Sequence, residues 1–324
     1  MWLLLTVAVL LGIAVASVAI GSRDVGVQDV LAALGGSTDG FGPAAVAKRI
    51  PRTLLAVVAG AALGVSGAVM QGVTRNPLAD PGILGINTGA SLAVVIGIAH
   101  VGLTAASTFI WVAILGAAVT AVLVYVLGSL GQGGATPLKL ALAGAATGAA
   151  LTSFISAVVL PRSDIGDSVR SWQIGGVGGA TYASLQQVAP FLLAGFVLSL
   201  LCSRGLNTLA LGDELAAGLG ERVAVTRAVA ALGAVVLCGA ATAVTGPIGF
   251  VGLVVPHACR LLIGVDHRWL LPFSAVAGAA LLTAADVLGR IVARPAELDV
   301  GIVTALIGAP FFIAIVRRQK LVSL

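Results

Sequence analysis

The chain has 324 residues, 59% of them hydrophobic and only 10% charged, with a formal net charge of +5 and a mean hydropathy of +1.10. That little polar surface cannot cover a water-facing globule of this length, so the composition excludes a soluble enzyme or binding module and defines an integral membrane protein. The basic excess suits a surface facing anionic lipid, and no basic stripe interleaved with aromatic residues points to nucleic acid.

A helix needs about 20 apolar residues to cross a hydrocarbon layer about 30 Å thick, and about ten such runs follow one another along this chain. They predict spans over Trp2–Ile20, Thr53–Val73, Ile83–Leu103, Thr108–Leu130, Leu138–Leu160, Val188–Cys202, Val223–Val244, Gly246–Gly264, Leu270–Val292 and Val300–Val316. The strict alternation of barrel strands is missing, so the fold class is all-α, a single multi-pass domain over residues 1–324. The first run lacks a basic n-region and a cleavage site before Arg23, and reads as a retained helix, not a signal peptide. An even number of spans puts both termini on one side, and Arg317, Arg318 and Lys320 behind the last run mark that side as cytoplasmic.

Residues 22–52 form an outer-face connection, in which VQDVLAAL (Val27 to Leu34) has helical periodicity and GGSTDGFG (Gly35 to Gly42) is a turn. Lys48, Arg49, Arg52 and, from the other end of the chain, Arg294 fall on the outer side. They are either tolerated loop charges or a cationic rim for an acidic partner. In the second span, Gly60, Gly64, Gly67 and Gln71 share one face, where another backbone can approach closely.

The stretch RNPLADPGILGINTGAS runs from Arg75 to Ser91. Pro77 and Pro81 break the helix, Asn76 and Asp80 can satisfy the freed backbone groups, and the glycines let the chain re-enter the membrane. A related device, GPIGFVGLVVPHACRLLIGVDHRWLLP (Gly246 to Pro272), carries Gly249, Pro256, His257 and Arg260. The two interruptions occupy corresponding places, which suggests two pseudo-repeated halves flanking a transport route.

The charged island LALGDELAAGLGERVAV, Leu209 to Val225, lies between the halves. Leu209, Leu211, Leu215 and Leu219 at helical spacing predict one amphipathic helix, with Asp213 and Glu214 in front and Arg222 and Arg227 behind. It serves either as a solvated connector or as a contact surface. His257 and His267 have no carboxylate or cysteine at ligand spacing and read as structural, while Cys202, Cys238 and Cys259 read as packing residues, so no metal site is expected. Asp286 and Arg290, four apart inside a span, read as an internal ion pair first and a substrate contact second. No phosphate-binding loop or catalytic constellation appears, so any ATP and Mg would sit on another chain.

The stretches Arg49 to Ser91, Gly246 to Arg290 and ELDVGIVTALIGAPFFIAIV (Glu297 to Val316) resemble the FecCD-type permeases, the membrane subunits of ABC importers for ferric siderophores, haem and vitamin B12. The resemblance covers essentially the whole chain. It implies a homodimer of about ten helices per subunit, or a pairing with a close paralogue, in the cytoplasmic (inner) membrane. It also implies two ATPase subunits below, a substrate-binding protein above and an iron-chelate cargo.

By that resemblance residues 209–222 are the coupling element that docks into the ATPase, through Leu211, Gly212, Asp213, Glu214, Ala216, Leu219, Gly220 and Arg222. Arg49 and Arg52, in the RxPR motif that opens the second helix, and Arg294, or Arg290 in its place, would meet carboxylates of the binding protein. Asp299 departs from the proline usual in the family. RNPLADPGILGINTGAS and SWQIGGVGG (Ser171 to Gly179) look more like siderophore permeases than the vitamin B12 one, with haem open. The competing class is a proton- or ion-coupled transporter, which would show Asp286 or His257 unpaired at midplane, and a third is a membrane scaffold.

Overall fold

A computed structural model describes residues 2–82, 84–103, 106–130 and 136–322. In order the helices are α1 (Trp2–Ala19), α2 (Val27–Leu34), α3 (Phe41–Thr74), α4 (Ile86–Ile96), α5 (Ala106–Ser129), α6 (Pro137–Val159) and α7 (Ser163–Ile174). There follow α8 (Tyr182–Leu201), α9 (Ser203–Leu209), α10 (Asp213–Gly218), α11 (Val223–Thr245), α12 (Val251–Ile263), α13 (His267–Val292) and α14 (Val300–Val322). A π-helical stretch, Gly97–Val101, prolongs α4, and no strand occurs among the described residues.

Each of the ten apolar runs carries a helix. Among the described residues seven helices are long and apolar enough to cross a membrane, and Ile86–Val101, Val251–Ile263 and Val300–Ile315 are shorter apolar ones. Ile83, where the third predicted span starts, lies outside the described residues, as do the side chains of Arg318 and Lys320.

Three expectations change in detail. The second span does not begin at Thr53: α3 runs for 34 residues from Phe41, which brings Arg49, Pro51 and Arg52 inside the helix. Its first turns are alanine-rich and strongly helical but too polar to register as an apolar run, and Pro43 sits in the first turn, where a missing N–H costs little. The run from Gly246 does not start as helix, because Gly246 and Phe250 both take positive φ and α12 begins only at Val251. The island is not one amphipathic helix. Gly212 (φ 106°) and Gly220 (φ 85°) cut it into the end of α9, a six-residue α10 and the start of α11.

Helix α3 is the axis of the bundle, packed along α11, α12 and α13. Its glycine face allows this: a side chain on Gly60 would collide with the Gly278 carbonyl, one on Gly64 with that of Ser274, and one on Gly67 with that of Gly252. Small residues that let backbones approach are what helix pairs need where lipid supplies no hydrophobic drive. Helix α1 is different: only Ser17 is buried, and Leu4, Leu5, Val9, Leu11 and Val15 face outward, as lipid allows.

Candidate functional site

The chemistry-bearing residues collect at three levels along α3. In the N-terminal half of α3, Arg52 reaches Asp286 on α13 (Nη2 to Oδ1 2.8 Å, Nε to Oδ1 3.0 Å) and Glu297 beyond it (Nη1 to Oε2 2.5 Å). Arg290 holds the other oxygen of Asp286 at 2.9 Å, and both of these side chains are 1% exposed. Arg290 also donates to the Ser17 carbonyl (2.9 Å), the Ile20 carbonyl (3.1 Å) and the Ser17 hydroxyl (2.6 Å). Arg49, buried, donates to the carbonyls of Ala19 (2.9 Å), Val18 (3.3 Å) and Arg23 (2.6 Å), and Arg294 to that of Gly21 (2.6 Å).

Three arginines from two other helices and a loop therefore cap the last turn of α1, where carbonyls lack helical partners and the dipole favours cations. Burial opposes ionisation of Glu297, but hydrogen bonds from Arg52 and Ser22 outweigh it and hold the carboxyl below its ordinary range. Asp299 is shifted upward by burial, against the pull of Arg52.

At the middle level the two helix breaks meet. Arg75 ends α3 in the left-handed conformation (φ 51°), and α4 starts after Gly85 (φ 74°). Between them Asn76 accepts from the Leu78 N–H (3.0 Å) and Asp80 from that of Gly82 (2.7 Å), while Pro81 is buried and Pro77 exposed. Gln71 donates to the Gly252 carbonyl (3.2 Å) and accepts from Arg260; Asn87 donates to the Ile248 carbonyl (3.3 Å) and accepts from the Cys238 thiol (2.6 Å). Gln71, Asn76, Asp80 and Asn87 thus each find a partner on the opposite break, on a neighbouring helix or within their own turn, as polar groups at membrane depth require. Gly249 stands in open space, Pro256 lies inside α12, and His257 packs edge-on against Phe311, centroids 5.7 Å apart.

Beyond the C-terminal end of α3, Asp213 of α10 forms an ion pair with Arg75 (2.8 Å) and accepts from Arg227 of α11 (2.9 and 3.3 Å). Leu211, Leu215 and Leu219 are 57%, 63% and 69% exposed, Glu214 and Arg222 are also exposed, and Ala216 is buried. Nearby Asp266 caps α13 through the Arg268 N–H (3.0 Å) and accepts from Asn207 (2.6 Å). Bonds from the Arg268 side chain and N–H, then Asn207, hold its carboxyl well below the usual range.

The structure thus brings Arg52 to Asp286 and Arg75 to Asp213, pairs 234 and 138 positions apart that no local pattern reveals. Sequence reasoning missed Glu297 and Asn87. A polar residue at each break, facing the other, is the signal that could have found Asn87.

These features define a polytopic helical membrane protein built around two broken helices that cross beside one central helix. The profile of the FecCD transport family matches residues 7–318, and the chain belongs to that family: it is a transmembrane permease subunit. It is 45% identical over 305 residues to the ferric enterobactin transport system permease protein FepD of Escherichia coli (strain K12), covering 94% of this chain and 91% of that one. It is 42% identical over 281 residues to the hemin transport system permease protein HmuU of Yersinia pestis, covering 84% and 82%. Among solved structures, one described as an inward-facing metal-chelate type ABC transporter superposes with a TM-score of 0.82 at 29% identity, covering 97% of this chain and 98% of that one.

Proposed function

We propose that this chain is the membrane-spanning subunit of an ATP-driven importer that carries a ferric siderophore across the cytoplasmic membrane by alternating access. Both termini are cytoplasmic, a second copy or close paralogue completes the path, and two ATPase subunits and an extracytoplasmic binding protein complete the machine. The observation that carries this reading is α10. Leu215 on a six-residue helix, with Leu211 and Leu219 just outside its two ends, faces outward beside positive-φ glycines, next to arginines and carboxylates that keep the segment out of lipid. An apolar patch with a charged rim in water is the anatomy of a protein interface. Leu211, Leu215, Leu219 and Glu214 would face the ATPase, and the chain itself needs no cofactor.

At the outer end we place the binding protein over Arg52 and Arg294, with Arg49 beneath them holding α1. Carboxylates of the partner would compete with Glu297 for Arg52. Enterobactin, citrate and hydroxamate chelates are the first cargoes to test, because relatives named for them reach 45%, 46% and 43% identity. Haem follows, and cobalamin last. A proton-coupled mechanism needs an unpaired Asp286 or His257, and the two arginines on Asp286 speak against it.

Replacing Leu215 and Leu219 together by aspartate tests the ATPase contact. The prediction is loss of ATPase co-purification in detergent while the permease keeps its melting temperature. Retention of the ATPase at wild-type stoichiometry would remove α10 from the interface.

A further inference from the structure

The exposure of Leu211, Leu215 and Leu219 suits an outside partner, but the carboxylate of Asp213 is engaged inside the chain. Its Oδ1 takes both Arg75 Nη2 and Arg227 Nη2, and its Oδ2 takes Arg227 Nη1. Ala216 is the one buried residue of α10, Leu215 points away, and glycine with positive φ stands at either end.

The two arginines lead to different places. Arg227 lies in the second turn of α11, a 23-residue helix embedded against α3, α5 and α8, and gives the carboxylate a fixed footing. Arg75 is the last residue before the re-entrant stretch and holds a left-handed conformation that few side-chain-bearing residues adopt. Behind it Asn76 and Asp80 fasten the turns of residues 76–82. Gln71, one turn before Arg75, and Asn87, just after the stretch, both bond to the second break, at Gly252 and Ile248. A displacement of α10 applied at Arg75 therefore reaches both breaks.

Energetics point the same way. The side chains of Arg75 and Asp213 are 41% and 45% exposed, and ion pairs that wet add little to fold stability. The Arg227 fork on both oxygens fixes the carboxylate, and the Arg75 ion pair on the same Oδ1 instead sets relative position.

We propose that Asp213, bridging Arg75 and Arg227, is the link through which α10 moves the re-entrant stretch 76–82; it is a positioning residue of the transport cycle and not a contact for the ATPase. This rests on the reading of α10 as the ATPase-facing element.

Two experiments test the link and separate its failure from failure of that reading. In the purified permease alone, in nanodiscs, amide hydrogen exchange across residues 76–82 should speed up at least fivefold in Asp213→Asn and in Arg75→Ala, with α3 and α13 unchanged. Unchanged exchange in 76–82 overturns the link, whatever the protein transports. In proteoliposomes holding the permease with its ATPase and binding protein, uptake of radio-iron is measured with enterobactin, citrate and hydroxamate chelates, alongside ATP hydrolysed. Asp213→Asn and Arg75→Ala should retain the ATPase and its hydrolysis while uptake per ATP falls about tenfold. The double variant should be no worse than either single one, and Arg75→Lys should recover at most part of the loss. Multiplying effects, or wild-type uptake per ATP in Arg75→Ala, would refute the link. Absence of ATP-driven uptake in the wild type would instead overturn the importer reading, leaving the exchange result to judge the link.

Discussion

Asp286 and Arg290 show how a charge survives in a span. Asp286 is fully buried, yet Arg52 and Arg290 occupy both its oxygens, and the spare donors of Arg290 satisfy the end of α1. Removing one partner leaves the other charge uncompensated, so Arg290→Ala should cost about 3–5 kcal/mol, whereas Asp286→Leu/Arg290→Met should recover most of it. Thermal unfolding in detergent of the singles and the double checks this, and equal damage from the double would count against the pairing. Glu297 gives a pH signature. Its folded pKa is depressed, so its bond to Arg52 stabilises fully above the unfolded value of about 4.3 and is lost as pH falls through the lower folded value. The melting-temperature gap between wild type and Glu297→Gln should be constant from about pH 6 to 8 and close below about pH 4. A gap that closes near neutrality would contradict that assignment. The four-residue spacing made the Asp286 and Arg290 pair legible in the sequence. Arg52 and Glu297 were not legible as its neighbours, because a contact across 234 positions leaves no periodic trace.

Elements were legible where periodicity and punctuation agree. Gly60, Gly64 and Gly67 mark one face of α3 by spacing alone, and that face meets Gly278, Ser274 and Gly252. Gly64→Leu should force α3 and α13 apart and destabilise by about 3 kcal/mol or more, since overpacking moves backbone here, not a flexible side chain. A melting temperature within a degree or so of wild type would mean the helices are not in contact there. The proline-rich break after Arg75 was equally plain. The island was not, because glycine is compatible with a helix interior as well as a hinge, and only the positive φ of Gly212 and Gly220 decides between them. The start of α3 was hidden for the opposite reason. Its first turns are helical by propensity but do not look like membrane.

At the scale of the molecule the two halves share a rhythm. A long helix, a break and a half-length helix precede another long helix, as α3, α4 and α5 and again as α11, α12 and α13, with lengths of 34, 11 and 24 and of 23, 13 and 26 residues. The breaks close on one another beside α3, and ion pairs tie that helix to its neighbours at Arg52 in its N-terminal half and at Arg75 at its C-terminal end. Such an arrangement has few places to bend other than the breaks, which suits rigid-body gating of one half against the other. The succession of spans was readable from hydropathy. The meeting of the breaks required the fold. The most direct test of the central claim is uptake of radio-iron ferric enterobactin, citrate and hydroxamate into proteoliposomes containing this permease, its ATPase and its binding protein, with ATP and a proton gradient supplied separately. The account predicts uptake of at least one chelate that requires internal ATP and ignores the gradient; uptake that follows the gradient without ATP would contradict it.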